Sequence, residues 1–319
     1  MNENIDIVKF QNISKRYGQL IALNNVSFSI KKGEIFGYVG PNGAGKTTTI
    51  KIMVGLLRGS GGSLFINGYK MPDQKELAHK FIGYTPQQIG FHKWKNIKQM
   101  LTTFGILSGY DKNLIERRID ELLTIFNLIN FKNMKISKLS GGMIQKLGII
   151  QALLHKPPIL ILDEPLSGLD PESRFQTKKL LKELSENGTT IFFSSHILSD
   201  VQDLATKICI LDWGRILKIG SLDELKNEFT QENQIEVNLS KRSEKFGEIS
   251  KIDGILRIIE KSPEKIILNI EKAKNSDEII NNIITTLLEN DCKIRSISPV
   301  SPSIDEIYQF YLRRGGGFQ

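Results

Sequence analysis

The stretch Gly40-Pro41-Asn42-Gly43-Ala44-Gly45-Lys46-Thr47 constrains the fold of this chain more than any other. Its three glycines let backbone N–H groups converge on an anion with no Cβ in the way. Lys46 can reach the β- and γ-phosphates of a nucleotide, and Thr47 can offer a hydroxyl to Mg²⁺. Such a loop works between a strand and a helix, because the helix N-terminus adds its own amides and the positive end of its dipole. Residues 34–39 are apolar enough to be that strand, and 47–57 read as the helix. Asn42, Ala44 and Thr48 join the three glycines, Lys46 and Thr47 as the nucleotide-binding set.

Two later motifs extend the chemistry. In Ile159-Leu160-Ile161-Leu162-Asp163-Glu164-Pro165 an apolar strand delivers two carboxylates at its end. Asp163 can hold Mg²⁺ directly or through water, and Glu164 can orient or deprotonate an attacking water. In Leu139-Ser140-Gly141-Gly142-Met143 a hydroxyl and two bare amides sit where a helix starts, which makes a second anion site. The phosphate loop already holds a terminal phosphate from its own side. The second site most simply serves a nucleotide held by another subunit, and the pair points to an ATPase that works as a dimer.

The rest of the chain sets these motifs in an α/β frame. Residues 6–11, 25–30, 63–66, 81–84, 159–162, 190–194 and 207–211 alternate or run apolar as strands do, and Asn67-Gly68 signals a tight turn. Strands alternating with helices imply a parallel sheet core. From 96 to about 127 the period turns helical, with Ile115, Ile119, Leu122, Leu123 and Phe126 on one face, and about 88–155 reads as a helical insertion. Past 228 the texture changes. Gln231-Glu232-Asn233 reads as a linker, and 229–319 as a small α+β domain with ferredoxin-like, split β-α-β topology. Arg313-Arg314-Gly315-Gly316-Gly317 reads as a frayed tail.

Composition narrows the setting. Among 319 residues no apolar run approaches the ~18 needed to cross a bilayer. The start, Met1-Asn2-Glu3-Asn4, lacks the pattern of a secretory signal, so a cytoplasmic location is expected. The two cysteines, Cys209 and Cys292, suit neither a disulfide framework nor a metal site. The net charge of +8 comes from residues 1–228, while the remainder is close to neutral. ATP, an acidic membrane surface or nucleic acid could each account for it. Without a dense basic run interleaved with aromatics, nucleic acid is the weakest of these and none is expected.

Phosphate loop, Ser140-Gly141-Gly142, Asp163-Glu164 and a later histidine follow the order and spacing of the ATP-binding subunits of ABC transporters. The resemblance covers about residues 5–225. It implies a P-loop NTPase cassette with a parallel-sheet core, an antiparallel β subdomain and a helical insertion. It also assigns roles. Tyr17 resembles the aromatic that stacks on adenine. Gln87, with Gln88 as its neighbouring alternative, resembles the glutamine that touches Mg²⁺ and water. Ser167-Gly168-Leu169-Asp170 looks like the loop at the dimer seam. His196 resembles the switch histidine on the γ-phosphate. The implied catalytic set is Glu164, His196, Gln87 and Lys46, and the implied metal set is Thr47, Gln87 and Asp163, with ATP and Mg²⁺ as cofactors. Lys146 stands where many relatives have arginine and Leu166 where threonine is frequent, without changing a catalytic group.

The resemblance further implies a second copy or a related ATPase subunit, and a transmembrane permease on a separate chain. That places the protein on the inner face of the cell membrane, with Phe91-His92-Lys93-Trp94-Lys95 as the expected contact. Pro299-Val300-Ser301-Pro302-Ser303-Ile304-Asp305-Glu306-Ile307-Tyr308 resembles the closing stretch of antibiotic- and multidrug-exporter ATPases. The rival expectation is a non-transport ATPase of the same superfamily acting on ribosome or DNA. One cassette and no sustained heptads count against it.

Overall fold

A computed structural model describes residues 5–111, 113–229, 233–241, 244–262, 264–271, 276–300 and 303–315. The chain divides into two compact units, 1–222 with 311–319, and 223–310.

The first unit begins with two long strands, β1 (Asp6–Tyr17) and β2 (Leu20–Lys31), which reach well beyond the apolar runs visible in the sequence. After β3 (Ile35–Val39) come the phosphate loop and α1 (Lys46–Met53), then the hairpin β4 (Gly61–Ile66) and β5 (Tyr69–Met71), the short helix α2 (Lys75–Ala78) and β6 (Ile82–Thr85). Strands β2-β1-β4-β5 make one antiparallel sheet.

The helical stretch divides into α3 (Ile97–Leu107), α4 (Ile115–Ile125) and α5 (Gly141–Leu153). Asn96 fixes the start of α3. Its Oδ1 accepts from Gln99 N at 2.8 Å, and Gln99 Oε1 accepts from Asn96 N at 3.1 Å. In α4, Ile115, Ile119, Leu122 and Leu123 are buried at the spacing the sequence gives, as is Phe126 just past its end. Each such side chain removed from water is worth ~1.5–3 kcal/mol as an upper estimate.

Then follow β7 (Ile159–Leu162), α6 (Pro171–Glu186), β8 (Thr190–Ser195), α7 (Leu198–Leu204), β9 (Lys207–Asp212) and β10 (Arg215–Gly220). They build a six-stranded sheet of order β10-β9-β3-β8-β7-β6, parallel except that β10 folds back on β9. Strands β3, β7 and β8 are buried along their whole length, as parallel strands covered on both faces must be. A file of rings ties the two sheets. Phe10 stacks on Phe28 at 4.4 Å, Phe28 on Phe36 at 5.1 Å, and Phe36 on Phe192 at 5.9 Å between centroids.

The second unit opens with α8 (Leu222–Phe229), so the compact unit starts several residues before the 228/229 boundary expected from the sequence. Of the expected linker, Gln231 and Glu232 lie outside the described residues, and Asn233 already belongs to a strand. Strands β11 (Asn233–Lys241), β12 (Ile255–Ser262), β13 (Lys265–Ile270) and β14 (Lys293–Val300) pair antiparallel in the order β12-β13-β11-β14. A 3-10 helix (Glu244–Lys251) links β11 to β12, and α9 (Ser276–Glu289) links β13 to β14. That chain order and strand order are those of a split β-α-β layer. Its core gathers Val237, Leu268, Ile283 and Leu287.

The last helix, α10 (Ile304–Gly315), carries on through Arg313–Gly315, where the sequence suggests a frayed tail; Gly316 and Gly317 lie outside the described residues. Ser303 and Glu306 close its start reciprocally: Glu306 N donates to Ser303 Oγ at 3.2 Å and Ser303 N to Glu306 Oε2 at 2.9 Å.

Candidate functional site

The site grows from the carboxyl edge of the parallel sheet. Adjacent strands β3, β8 and β7 end there side by side, which lets three distant stretches of sequence meet. From β3 comes the phosphate loop. Gly40 is obligatory for space: a Cβ there would lie 2.4 Å from the carbonyl oxygen of Leu211 on β9. Gly45, at φ 109°, caps α1 in the left-handed region. Lys46 is 6% exposed, and its Nζ donates to the carbonyls of Gly40 at 2.8 Å and Pro41 at 3.2 Å.

From β7 come the carboxylates. Asp163 is 1% exposed. Burial raises its pKa, while the hydroxyls of Ser194 and Thr47, which hydrogen-bond it, pull the other way. Burial likewise lowers the pKa of Lys46 against the pull of Glu164 and Asp163. Tyr84 on β6 is pushed up to about 12, first by burial and then by Asp163.

Glu164 has a φ of 50°, unusual for any residue but glycine and more so ahead of a proline. Strain of this kind costs ~1–3 kcal/mol and persists only where the surroundings enforce it. Here the enforcing group is Ser194 on β8. Its Oγ accepts from Glu164 N at 2.9 Å and donates to Asp163 Oδ1 at 2.7 Å. One hydroxyl thus holds both acidic residues in register. The Glu164 carboxylate bridges the site: Oε1 lies 3.7 Å from Lys46 Nζ, and Oε2 lies 2.9 Å from His196 Nδ1 at the end of β8.

Reading the sequence for motifs misses Ser194, whose partners are about thirty residues away. The only trace is a pair of buried serines, Ser194 and Ser195, closing an otherwise apolar strand.

Lys46, Thr47, Asp163, Glu164 and His196 therefore come together. Other expected residues lie at the surface or serve their own helix. Gln87 is exposed beyond the end of β6 and Gln88 is exposed beside it. Tyr17, at the end of β1, is 46% exposed, with Lys15 Nζ 5.2 Å from its ring centroid. Ser140 caps α5, accepting from Met143 N at 3.3 Å, and Ser140 and Gly141 are exposed. Asp170 of the expected seam loop caps α6, accepting from Ser173 N at 2.9 Å. That hydrogen bond holds its carboxyl below the usual range.

Oxygen donors around a buried, already hydrogen-bonded carboxylate suit a small hard cation. Asp163 and the Thr47 hydroxyl would hold Mg²⁺, and the amides of 43–48 would face the phosphates.

A strand-loop-helix phosphate cradle flanked by a buried Asp-Glu pair defines a phosphate-loop nucleotide hydrolase. The comparisons narrow the class. The family model described as ABC transporter matches residues 23–167, and that of the C-terminal domain of DrrA1-3-like ATP-binding proteins matches 220–310. The linearmycin resistance ATP-binding protein LnrL of Bacillus subtilis (strain 168) is 30% identical, covering 95% of this chain and 97% of its own. The Nod factor export ATP-binding protein I of Cupriavidus pinatubonensis is 35% identical over 69% of this chain and 67% of its own. Among solved structures, an ATP-binding subunit of an ABC transporter has a TM-score of 0.65 at 31% identity, covering 70% of this chain and 93% of that one. A dimeric ATP-binding cassette in a post-hydrolysis state with ADP and phosphate has a TM-score of 0.62 at 28% identity, covering 67% and 98%. The chain belongs to the ATP-binding proteins of ABC transporters, and is an ATPase of that family.

Proposed function

We propose that this chain powers an exporter, closing head to tail with a second copy around two Mg-ATP and driving a transmembrane subunit at the cytoplasmic face of the membrane. The observation that carries the catalytic part is the convergence of Lys46 and His196 on Glu164, at 3.7 Å and 2.9 Å from its carboxylate oxygens, beside buried Asp163. The names of the relatives, linearmycin resistance and Nod factor export, and the DrrA-like match at 220–310 support export over import.

In this reading the amides of 43–48 and Lys46 bind the triphosphate, with Lys46 exchanging the carbonyls of Gly40 and Pro41 for phosphate oxygens. Asp163 and Thr47 would hold Mg²⁺, whose charge would offset that of the phosphates, and Gln87 would join them from the end of β6. Glu164, with its backbone fixed by Ser194, orients a water and takes its proton. His196 holds the Glu164 carboxylate in place and faces the γ-phosphate. Tyr17 stacks on the base. Ser140, Gly141 and Gly142 meet the nucleotide of the second copy, since in their own protomer they only start a helix. The hydroxyl of Ser140 accepts from Met143 and keeps its own proton free to donate.

The membrane partner has a fitting surface. A groove of about 800 Å³ is lined by Leu56, His79, Tyr84, Leu107, Tyr110 and His155. Leu107 is 77% exposed on its rim. Nearby in sequence, Phe91 packs edge-on against Phe104 of α3, anchoring a stretch whose Trp94 stands out to solvent.

The test is to purify the chain with Glu164→Gln and add Mg-ATP. A stable dimer with very slow phosphate release supports the reading. Normal turnover in that variant removes Glu164 from its role, and a chain that stays monomeric with bound Mg-ATP removes the dimer.

A further inference from the structure

Two hairpins in the first unit turn on the same backbone conformation with different residues. Between β4 and β5 the turn is Asn67-Gly68, with φ of 48° and 81°. Between β9 and β10 it is Trp213-Gly214, with φ of 44° and 72°. Asn enters the left-handed region cheaply, which is why Asn-Gly is the favoured pair for such a turn. An indole gains nothing there from local chemistry. Trp213 is also 81% exposed, the highest among the large apolar side chains described. Strain and exposure together at one residue mark a place where function overrides local preference.

The turn is held in place. Gly214 N donates to the carbonyl of Ala44 in the phosphate loop at 2.9 Å, and Asn24 N of β2 donates to the carbonyl of Gly214 at 2.8 Å. A Cβ on Gly214 would lie 2.6 Å from the carbonyl oxygen of Ala22. The two residues before Ala22, Leu20 and Ile21, are themselves 63% and 41% exposed. Strand β9 runs parallel to β3, so Trp213 leaves the sheet at the same edge as Lys46, Glu164 and His196.

We propose that Trp213, with Leu20 and Ile21, is an apolar contact for the second copy of this chain, extending the nucleotide seam past β3 to the β9–β10 turn. This rests on the nucleotide-closed dimer proposed above. Continuity decides the occupant. The patch adjoins the phosphate loop, on the edge that such a dimer closes. The groove suited to a membrane subunit borders β6, at the opposite end of the sheet order. The phosphates of a nucleotide offer these side chains no apolar surface, and its base falls to Tyr17 in the reading above, across the β1–β2 turn from Leu20, whereas tryptophan at the centre of a protein interface is a recurrent anchor.

The experiment uses the full chain carrying Trp94→Phe, which leaves Trp213 as the single tryptophan, and Glu164→Gln to retain Mg-ATP. Oligomeric state is followed by sedimentation and Trp213 by emission wavelength and acrylamide quenching. The expected result is a blue shift and a several-fold fall in quenching that appear together with the dimer. A dimer in which Trp213 stays fully quenchable overturns the contact and leaves the dimer standing. Protection in a protomer that remains monomeric with Mg-ATP assigns Trp213 to the nucleotide and overturns it too. Absence of any dimer overturns both readings. In a second variant, Trp213→Asn restores the residue the turn prefers. Folding and ATP affinity of the protomer should be unchanged while dimerisation weakens about 30-fold; undiminished dimerisation overturns the proposal.

Discussion

The carboxyl edge of the parallel sheet and the start of α5 are both anion sites, yet they are built differently. At the sheet edge every charged group is already engaged. Lys46 is held by two carbonyls, Asp163 by hydroxyls, and Glu164 by a backbone clamp and His196. At α5, Ser140 and Gly141 are exposed, and the Ser140 side chain caps its own helix. The difference separates a preorganised centre from a surface that gains its use when something is brought to it. Preorganisation is what makes electrostatic catalysis effective, because no reorganisation is needed as charge develops.

Substitutions can break or sharpen that contrast. The largest effects should fall at the preorganised side. Lys46→Ala and Glu164→Gln should each cost at least ~10²–10³ in phosphate release. They should part in nucleotide titration, with affinity lost in the first and kept in the second. Ser140→Ala should come next. Loss of one hydrogen bond to a charged group, worth ~1.5–3 kcal/mol, predicts about 10- to 100-fold slower turnover with unchanged ATP affinity in the isolated protomer. Equal loss of protomer affinity would erase the contrast.

Asp163→Asn should act in opposite directions on function and stability. Burial raises the folded pKa of Asp163, so its carboxyl favours folding only at low pH, and that contribution is lost as pH rises through the folded value. At neutral pH and without nucleotide, the asparagine variant should melt at the same or a higher temperature while turnover collapses. The smallest effect concerns His155, whose pKa is lowered by burial. Its neutral form favours folding above the ordinary histidine value of about 6.5, and that support is lost as pH falls through the lower folded value. Melting measured against pH should show a decline in that window, shallower in His155→Gln.

Much of the preorganised side was legible because phosphate chemistry demands a fixed local spacing. Gly40 through Thr47 occupy one loop, and Asp163-Glu164 end one strand. The Ser194 clamp was not legible, since it joins residues brought together only by the pairing of β7 with β8. The rings of Phe10, Phe28, Phe36 and Phe192 are spread along the sequence, and only the packing of two sheets makes them a stack. Short β5 and β10 escaped notice because each is defined more by its partner strand than by its own periodicity. Trp213-Gly214 escaped for the opposite reason: tryptophan gives no turn signal.

That file of phenylalanines has a mechanical corollary. Stacked rings packed at core density resist sliding, so the middles of β1 and β2 keep their place against β3 and β8 as a caliper keeps its setting. Thinning the stack, as in Phe28→Leu, should loosen that setting and lower the melting temperature.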